Sequence, residues 1–319
     1  MLQITRMKHR SMLLSLSLMV HVLIACEREP RPADVDSAGV PTDVSGDTSG
    51  TDLPRSGWEP ELGPLLFIAG AQREASAIFP NFSDSTLTDT TTFDTSILGG
   101  MRVDLFSRSG LAGRGQVRSA PPRTRDDGCV AWPEAIVTVT DSSGKPDAWT
   151  IAFAAGRATA IALDSLESLA GADSARLTVE VSRLASLVPD DTATTFRGIP
   201  YFVRQVRRFR AGTDTEVLIA NVTRRINQEA NPREEQVLLI AERSTAQPNA
   251  RYTVGYHERV SGPEESIEST DVLAAVSLAP SGEPAIVLIR DYGDGSAYAL
   301  ITRTQGSWRL AWNSAYAGC

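Results

Sequence analysis

The sequence predicts an α+β chain made mostly of antiparallel β-sheet, a meander interrupted once by a helical pair near 158–188. Three observations carry that expectation. From Tyr201 onward, short apolar or alternating runs follow one another closely, with turn residues between them. Leu163, Leu166 and Leu169, then Leu177, Val181, Leu184 and Val188, recur instead at helical spacing. Before Trp58 neither period appears, and residues 26–57 mix Pro, Ser, Thr, Gly and Asp with scattered apolar side chains. One β-rich globular domain is therefore expected over 58–319, with an irregular β-propeller or a β-sandwich as alternative arrangements.

The chain opens with Arg6, Lys8 and Arg10 and no acidic residue before position 26. An apolar run from Met12 to Ala25 follows, and its 14 residues fall short of the roughly 20 that cross a bilayer as a helix. It ends in Leu23-Ile24-Ala25-Cys26, which resembles the lipobox of bacterial lipoproteins. The resemblance implies a signal peptide over 1–25, cleavage between Ala25 and Cys26, and lipid on Cys26. Two or more acyl chains anchor stably where one binds only marginally. Glu27 follows the cysteine, and by the family's sorting pattern it implies the outer membrane, facing the periplasm or the cell surface. Residues 26–57 then form a lipidated, disordered tether, and about 30 flexible residues span about 30 Å.

Composition narrows the classes. The net charge is −8, and loss of Arg6, Lys8 and Arg10 with the leader makes it −11. Such a chain is poorly suited to nucleic acid or anionic lipid through overall charge. With Cys26 assigned to lipid, Cys129 and Cys319 remain, an even number able to pair in an oxidising compartment. Two unpaired buried thiols are the alternative. His9 and His21 leave with the leader, so only His257 remains, too few imidazoles for a zinc site built on two or three of them. No G-x-S-x-G, H-E-x-x-H or phosphate-cradling glycine loop occurs. No cofactor is expected.

In chain order, Leu65 to Ala69 and Met101 to Phe106 read as strands, and 83–96 and 110–127 as loops. Ala135 to Thr140 and Trp149 to Phe153 flank a turn-rich connection of hairpin type. Gly171 is placed to end the first helix, Asp173 to cap the second and Pro189 to stop it. The meander then runs through 201–209, 216–222, 236–242, 252–258, 272–278, 285–290, 297–303 and 307–312. Asp294-Gly295 and Gln305-Gly306 suit tight turns.

Part of this meander repeats. Val217 to Val222 matches Val272 to Ser277, Glu235 to Ile240 matches Glu283 to Leu288, and Tyr252 to Tyr256 matches Tyr298 to Thr302. A period near 50 in short strands is the mark of radially repeated sheets. Over about 217–303 the unit resembles FG-GAP or integrin-type propeller blades. The loop Ala279 to Glu283 holds one carboxylate, where that family's calcium loop has several.

Among charged clusters, Arg204, Arg208 and Arg210 share a face if their segment is a regular strand. They are the candidate ligand surface, for a phosphate or carboxylate, weighed against a plain solvated face. Glu229, Glu234 and Glu235 read as an exposed acidic loop, and His257 as a strand residue. The leading functional expectation is a membrane-anchored envelope lipoprotein that binds or scaffolds an envelope protein or polysaccharide without catalysis. A carboxylate-dependent hydrolase of envelope or extracellular polymers and a small-ligand carrier are the alternatives. The membrane, through the lipid on Cys26, is one expected partner, and nucleic acid is not.

Overall fold

The structure, a computed structural model, describes residues 65–68, 74–79, 82–83, 87, 98–119, 129–142, 148–189, 195–227, 231–247 and 249–319. The leader, Ala25, Cys26 and the tether lie outside these residues, as do Glu229 and most of the polar stretch 83–96.

Strands β1 (Leu65–Ile68), β2 (Glu74–Ile78), β3 (Arg102–Ser107), β4 (Gly110–Ser119), β5 (Glu134–Ser142) and β6 (Ile151–Ala154) close into a barrel in the order β1-β2-β5-β4-β3-β6. Small and branched side chains fill its lumen, among them Ala75, Ala77, Val103, Val117, Val137 and Ala152. Of the stretch 110–127 expected to be a loop, residues 110–119 are instead β4, and the rest lies outside the described residues. Gly115 marks close packing, since a Cβ there would lie 3.0 Å from Val137 Cγ1 and 3.1 Å from the Thr138 carbonyl, whereas Gly110, at φ 114°, closes the turn between β3 and β4. The expected hairpin across 141–147 is likewise absent. β5 pairs with β2 and β4, while β6 pairs with β1 and β3.

Two further sheets carry the rest. β8 (Asp164–Ser165), β9 (Phe202–Ala211), β10 (Thr215–Ile226), β11 (Arg233–Ser244) and β12 (Thr253–Pro263) form the outer sheet in the order β12-β11-β10-β9-β8. β7 (Ala158–Ile161), β13 (Ser269–Leu278), β14 (Glu283–Asp291), β15 (Gly295–Thr304) and β16 (Ser307–Asn313) form the central sheet in the order β16-β15-β14-β13-β7. The short β17 (Ala317–Gly318) pairs with β15. The mostly antiparallel α+β class expected from the sequence is the one observed. Gln305 and Gly306, both at positive φ (52° and 79°), form the two-residue turn between β15 and β16.

The layers stack as helix, outer sheet, central sheet and barrel. Alternation along each central strand decides this. Ile286 and Leu288 point into one core with Val217, Ile219 and Ile240 of the outer sheet, while Ala285 and Val287 point into another with Phe106, Ile151 and Phe153 of the barrel. The helix α1 (Gly171–Leu187) covers the far face of the outer sheet through Leu177, Val181, Leu184 and Ala185.

The expected helical pair reduces to this one helix. Ala158–Ile161 is an edge strand on β13, and Leu166–Ser168 is a single 3-10 turn. Leucines three apart fit three residues per turn as well as they fit an α-helix. Gly171 therefore begins α1 instead of ending a predecessor, and Asp173 lies in its first turn while Ala170 is the N-cap. The repeated segments are successive strands, β10–β12 in the outer sheet and β13–β15 in the central one. They do not form a propeller. The two sheets share one core, and their other faces are closed by the helix and by the barrel.

Polar clasps join the layers at their edges. Arg303 donates to Glu242 from Nε at 2.6 Å and from Nη2 at 3.1 Å, and Trp308 Nε1 donates to the same carboxylate at 2.6 Å. Thr150 Oγ1 donates to the Leu273 carbonyl at 3.0 Å, joining barrel to central sheet.

Cys129 and Cys319 are joined, with Cα atoms 4.4 Å apart and 190 positions between them in sequence. The last residues are held by the backbone as well, since Val130 N donates to Gly318 O at 2.9 Å and Cys319 N to Asp294 O at 3.0 Å. Gly318 and Gly295 must both be glycine, because a Cβ on either would fall within 2.6 Å of the other's strand. Replacing both cysteines by serine is expected to lower the denaturant midpoint. The chain-entropy model sets about 5 kcal/mol as the upper limit of the loss. An unchanged midpoint would show that the backbone pairing alone holds the terminus.

Candidate functional site

Between the first turns of α1 and the outer sheet lies a cleft of about 310 Å³, lined by Arg176, Arg208, Arg243 and Arg251 with Asp173 and Glu180 among them. Strand pairing explains the concentration. The β9–β10 hairpin sets Arg210 opposite Glu216, and the β10–β11 pairing sets Arg243 on the other side of it, so the three form one cross-strand row.

Glu216 is the pivot. It is 7 % exposed, accepts the Tyr252 hydroxyl, and takes Arg243 Nε at 2.9 Å and Nη2 at 2.7 Å. The Arg243 guanidinium lies 4.9 Å from the Tyr252 ring centre, which fixes its plane. Arg208 reaches Glu216 only at 3.9 Å and Asp164 only at 3.6 Å. Among the described residues it makes no hydrogen bond with either, because both distances exceed donor range. Arg251 has neither a hydrogen bond nor an ion pair among the described residues, though its charge helps to stabilise ionised Glu180. The chief influence on Glu180 is Arg183, whose Nε and Nη2 donate to it at 2.9 and 2.6 Å and hold its carboxyl below the ordinary range.

The three arginines singled out from the sequence are divided. Arg208 and Arg210 project to the helix side of the outer sheet. Arg204 does not join them. β9 pairs Gln205 with Asn221 and Val203 with Val222, so Arg204 is the extra residue of a bulge. Its guanidinium lies 3.4 Å from Glu234, whose partner Gln236 belongs to the sandwich side of β11.

Glu234 and Glu235 are not an exposed loop. They open β11 at 1 % and 0 % exposure. Glu235 accepts Arg224 Nε at 2.5 Å and Nη2 at 3.1 Å, and Arg259 Nη1 at 2.9 Å. Arg224 is stacked near the rings of Phe196 and Tyr201, at 5.4 and 4.8 Å. Glu235 is thus held by two arginines within the core. His257 is exposed on β12, with no hydrogen bond or ion pair among the described residues. Trp308, Trp312 and Tyr298 are core residues.

Sequence reasoning missed Glu216, Tyr252, Arg243, Arg251 and Arg176. The available signal was hairpin register. A turn centred near Thr213 pairs position 210 with 216, which would have matched Arg210 to a carboxylate. No group of three or more His, Cys, Asp or Glu among the described residues is arranged to hold a metal ion. A larger hollow on the barrel wall, about 570 Å³, includes Asp104, which already accepts Gly156 N at 2.7 Å and lies 3.5 Å from Arg114. Comparison of the chain with protein-family models, with curated proteins and with solved structures finds no match in any of the three.

Burial, and then the hydrogen bond to Glu216, raise the Tyr252 hydroxyl above its ordinary value of 10.0. A phenol kept protonated by folding contributes stability that is complete below its unfolded value. That contribution is lost as pH climbs through the raised one. Tyr252→Phe is expected to cost about 1.5–3 kcal/mol at neutral pH, the worth of a buried hydrogen bond to a charged group. It should also remove this residue's share of the alkaline loss of stability. Denaturant unfolding of both proteins on either side of pH 10.0 checks the two expectations together.

Proposed function

We propose that the chain is a lipid-anchored protein of the bacterial cell envelope, held at the outer membrane, whose β-rich body binds another envelope component without transforming it. The observation that carries this reading is the run Leu23-Ile24-Ala25-Cys26 after a short basic and apolar leader. Cys26 supplies the attachment, and residues 26–57 supply a spacer between membrane and body. The Cys129–Cys319 disulfide suits an oxidising compartment.

The cleft chemistry favours binding over hydrolysis. A carboxyl acting as general acid near neutral pH must be raised above its ordinary range. Glu180 is instead lowered by Arg183, and Glu216 is engaged by a phenol and an arginine. Such carboxylates orient arginines. A carrier would bring its ligand into a closed apolar cavity, and this cleft is open and polar, so recognition at a surface suits it better.

Intact-mass analysis of native protein is expected to show a chain beginning at residue 26 with acyl groups on Cys26. Cys26→Ser should leave the leader uncut and remove the acyl mass. An unmodified Cys26 in native wild-type material would end the anchoring reading. Crosslinking in the native cells tests the binding reading separately: an envelope protein or glycan captured through the body domain is expected. Purified protein that cleaves a glycan or peptide would overturn it.

A further inference from the structure

The arginine cleft has hydrogen-bond donors that the fold does not use. Its lining holds Arg176, Arg208, Arg243 and Arg251 with Asp173 and Glu180, and Asp164 and Glu216 stand 3.6 and 3.9 Å from Arg208. The internal pairings are uneven. Arg243 is fixed by Glu216 and by the Tyr252 ring, and Arg176 lies 3.2 Å from Asp173. Arg208 stands between two carboxylates at 3.6 and 3.9 Å and hydrogen-bonds neither, and Arg251, whose charge acts on Glu180, makes no hydrogen bond or ion pair among the described residues. Two guanidinium groups therefore keep uncommitted donors beside one hollow, and a third is held rigid next to them.

We infer that this cleft binds a sugar phosphate. A phosphate carries about −1.5 to −2 charges and three acceptor oxygens, which matches the unused donors of Arg208 and Arg251. Arg243, already planar against Tyr252, flanks the same group without needing to reorganise. The sugar is assigned from the rest of the lining. Asp173 and Glu180 stand on the helix wall, and besides the arginines that they hold each keeps lone pairs that accept hydroxyl hydrogens. A volume of about 310 Å³ lies at the small end of ligand pockets, the size of one sugar ring with its phosphate. Glu216 is a positioning residue here, since it acts on the ligand only through Arg243 and Arg208. The inference rests on the binding reading above and not on the lipid anchor.

The test is calorimetric titration of the full-length mature chain, at low salt, with glucose 1-phosphate, inorganic phosphate, glucose and a short acidic peptide. Saturable binding of glucose 1-phosphate, tighter than inorganic phosphate, with none for glucose, is expected. Arg208→Gln and Arg251→Gln should each weaken it by about tenfold or more, the loss of one charge-assisted hydrogen-bonded pair. Arg204→Gln, on the opposite side of the sheet, should leave it unchanged. Arg251 is exposed and unpaired among the described residues, so its variant stays informative even if loss of Arg208 disturbs folding. Failure of both phosphates to bind, equal binding by Arg251→Gln, or tighter binding of the acidic peptide overturns the inference. None of these outcomes alters the mass of Cys26 or a crosslink to a protein partner, so the broader reading is judged separately.

Discussion

The central sheet is apolar on both faces, and the other layers take their places from that fact. Val272, Ala275, Ile286, Leu288, Ala299 and Ile301 face the outer sheet, while Ala274, Val276, Ala285, Val287, Tyr298 and Leu300 face the barrel. A strand covered on both sides reads as a continuous apolar run rather than an alternation. It cannot be left open to water on either side without exposing a large apolar surface. Barrel and outer sheet are therefore both required as covers. The outer sheet in turn needs α1 over Val206, Leu218, Ala220 and Leu239.

Arginine and glutamate supply the polar contacts at the seams. Taking both ions out of water is costly, and a buried pair offsets that cost only when its geometry is good. Glu235 meets the requirement with two arginines, one of them bidentate and stacked on aromatic rings. The planar guanidinium fits a carboxylate by two bonds where an ammonium offers a point charge. Lys8 and Lys145 are the only lysines in the chain. The same chemistry recurs at Glu216, with a difference: Arg243 is hydrogen-bonded there, while Arg208 stands off at 3.9 Å.

Much of the fold is legible in the amino-acid sequence alone. The strands of the meander, the buried face of α1, the turn at Gln305-Gly306 and the pairing of Cys129 with Cys319 follow from periodicity, turn chemistry and cysteine arithmetic. The parts that are not legible depend on distant partners. Leu163, Leu166 and Leu169, at a spacing of three, fit two kinds of helix. Only the pairing of Ala158–Ile161 with β13 decides between helix and strand for the residues before them. In β4, Gly115 is crowded by Val137 and Val103 and Gly110 closes a turn at positive φ, which composition reports as a loop. Of the candidate site, Arg208 and Arg210 are legible from alternation. Arg204 is displaced by a bulge that no local signal announces. Glu234 and Glu235 look like surface because charge runs usually are, and their arginine partners come from other strands.

This layering predicts an ordering of local stability, and the binding cleft lies at its weak end. The central strands can open only by separating both cores at once, whereas α1 is held through one face and borders the cleft. Movement needed to admit a ligand is then available without disturbing the rest of the molecule. Native-state hydrogen exchange, read amide by amide, tests this most directly. Amides of β13, β14 and β15 should exchange last, only through global unfolding, while those of α1 exchange earlier by local opening. If α1 proves as protected as β14, or if β14 opens independently, the doubly covered sheet is not what organises the fold.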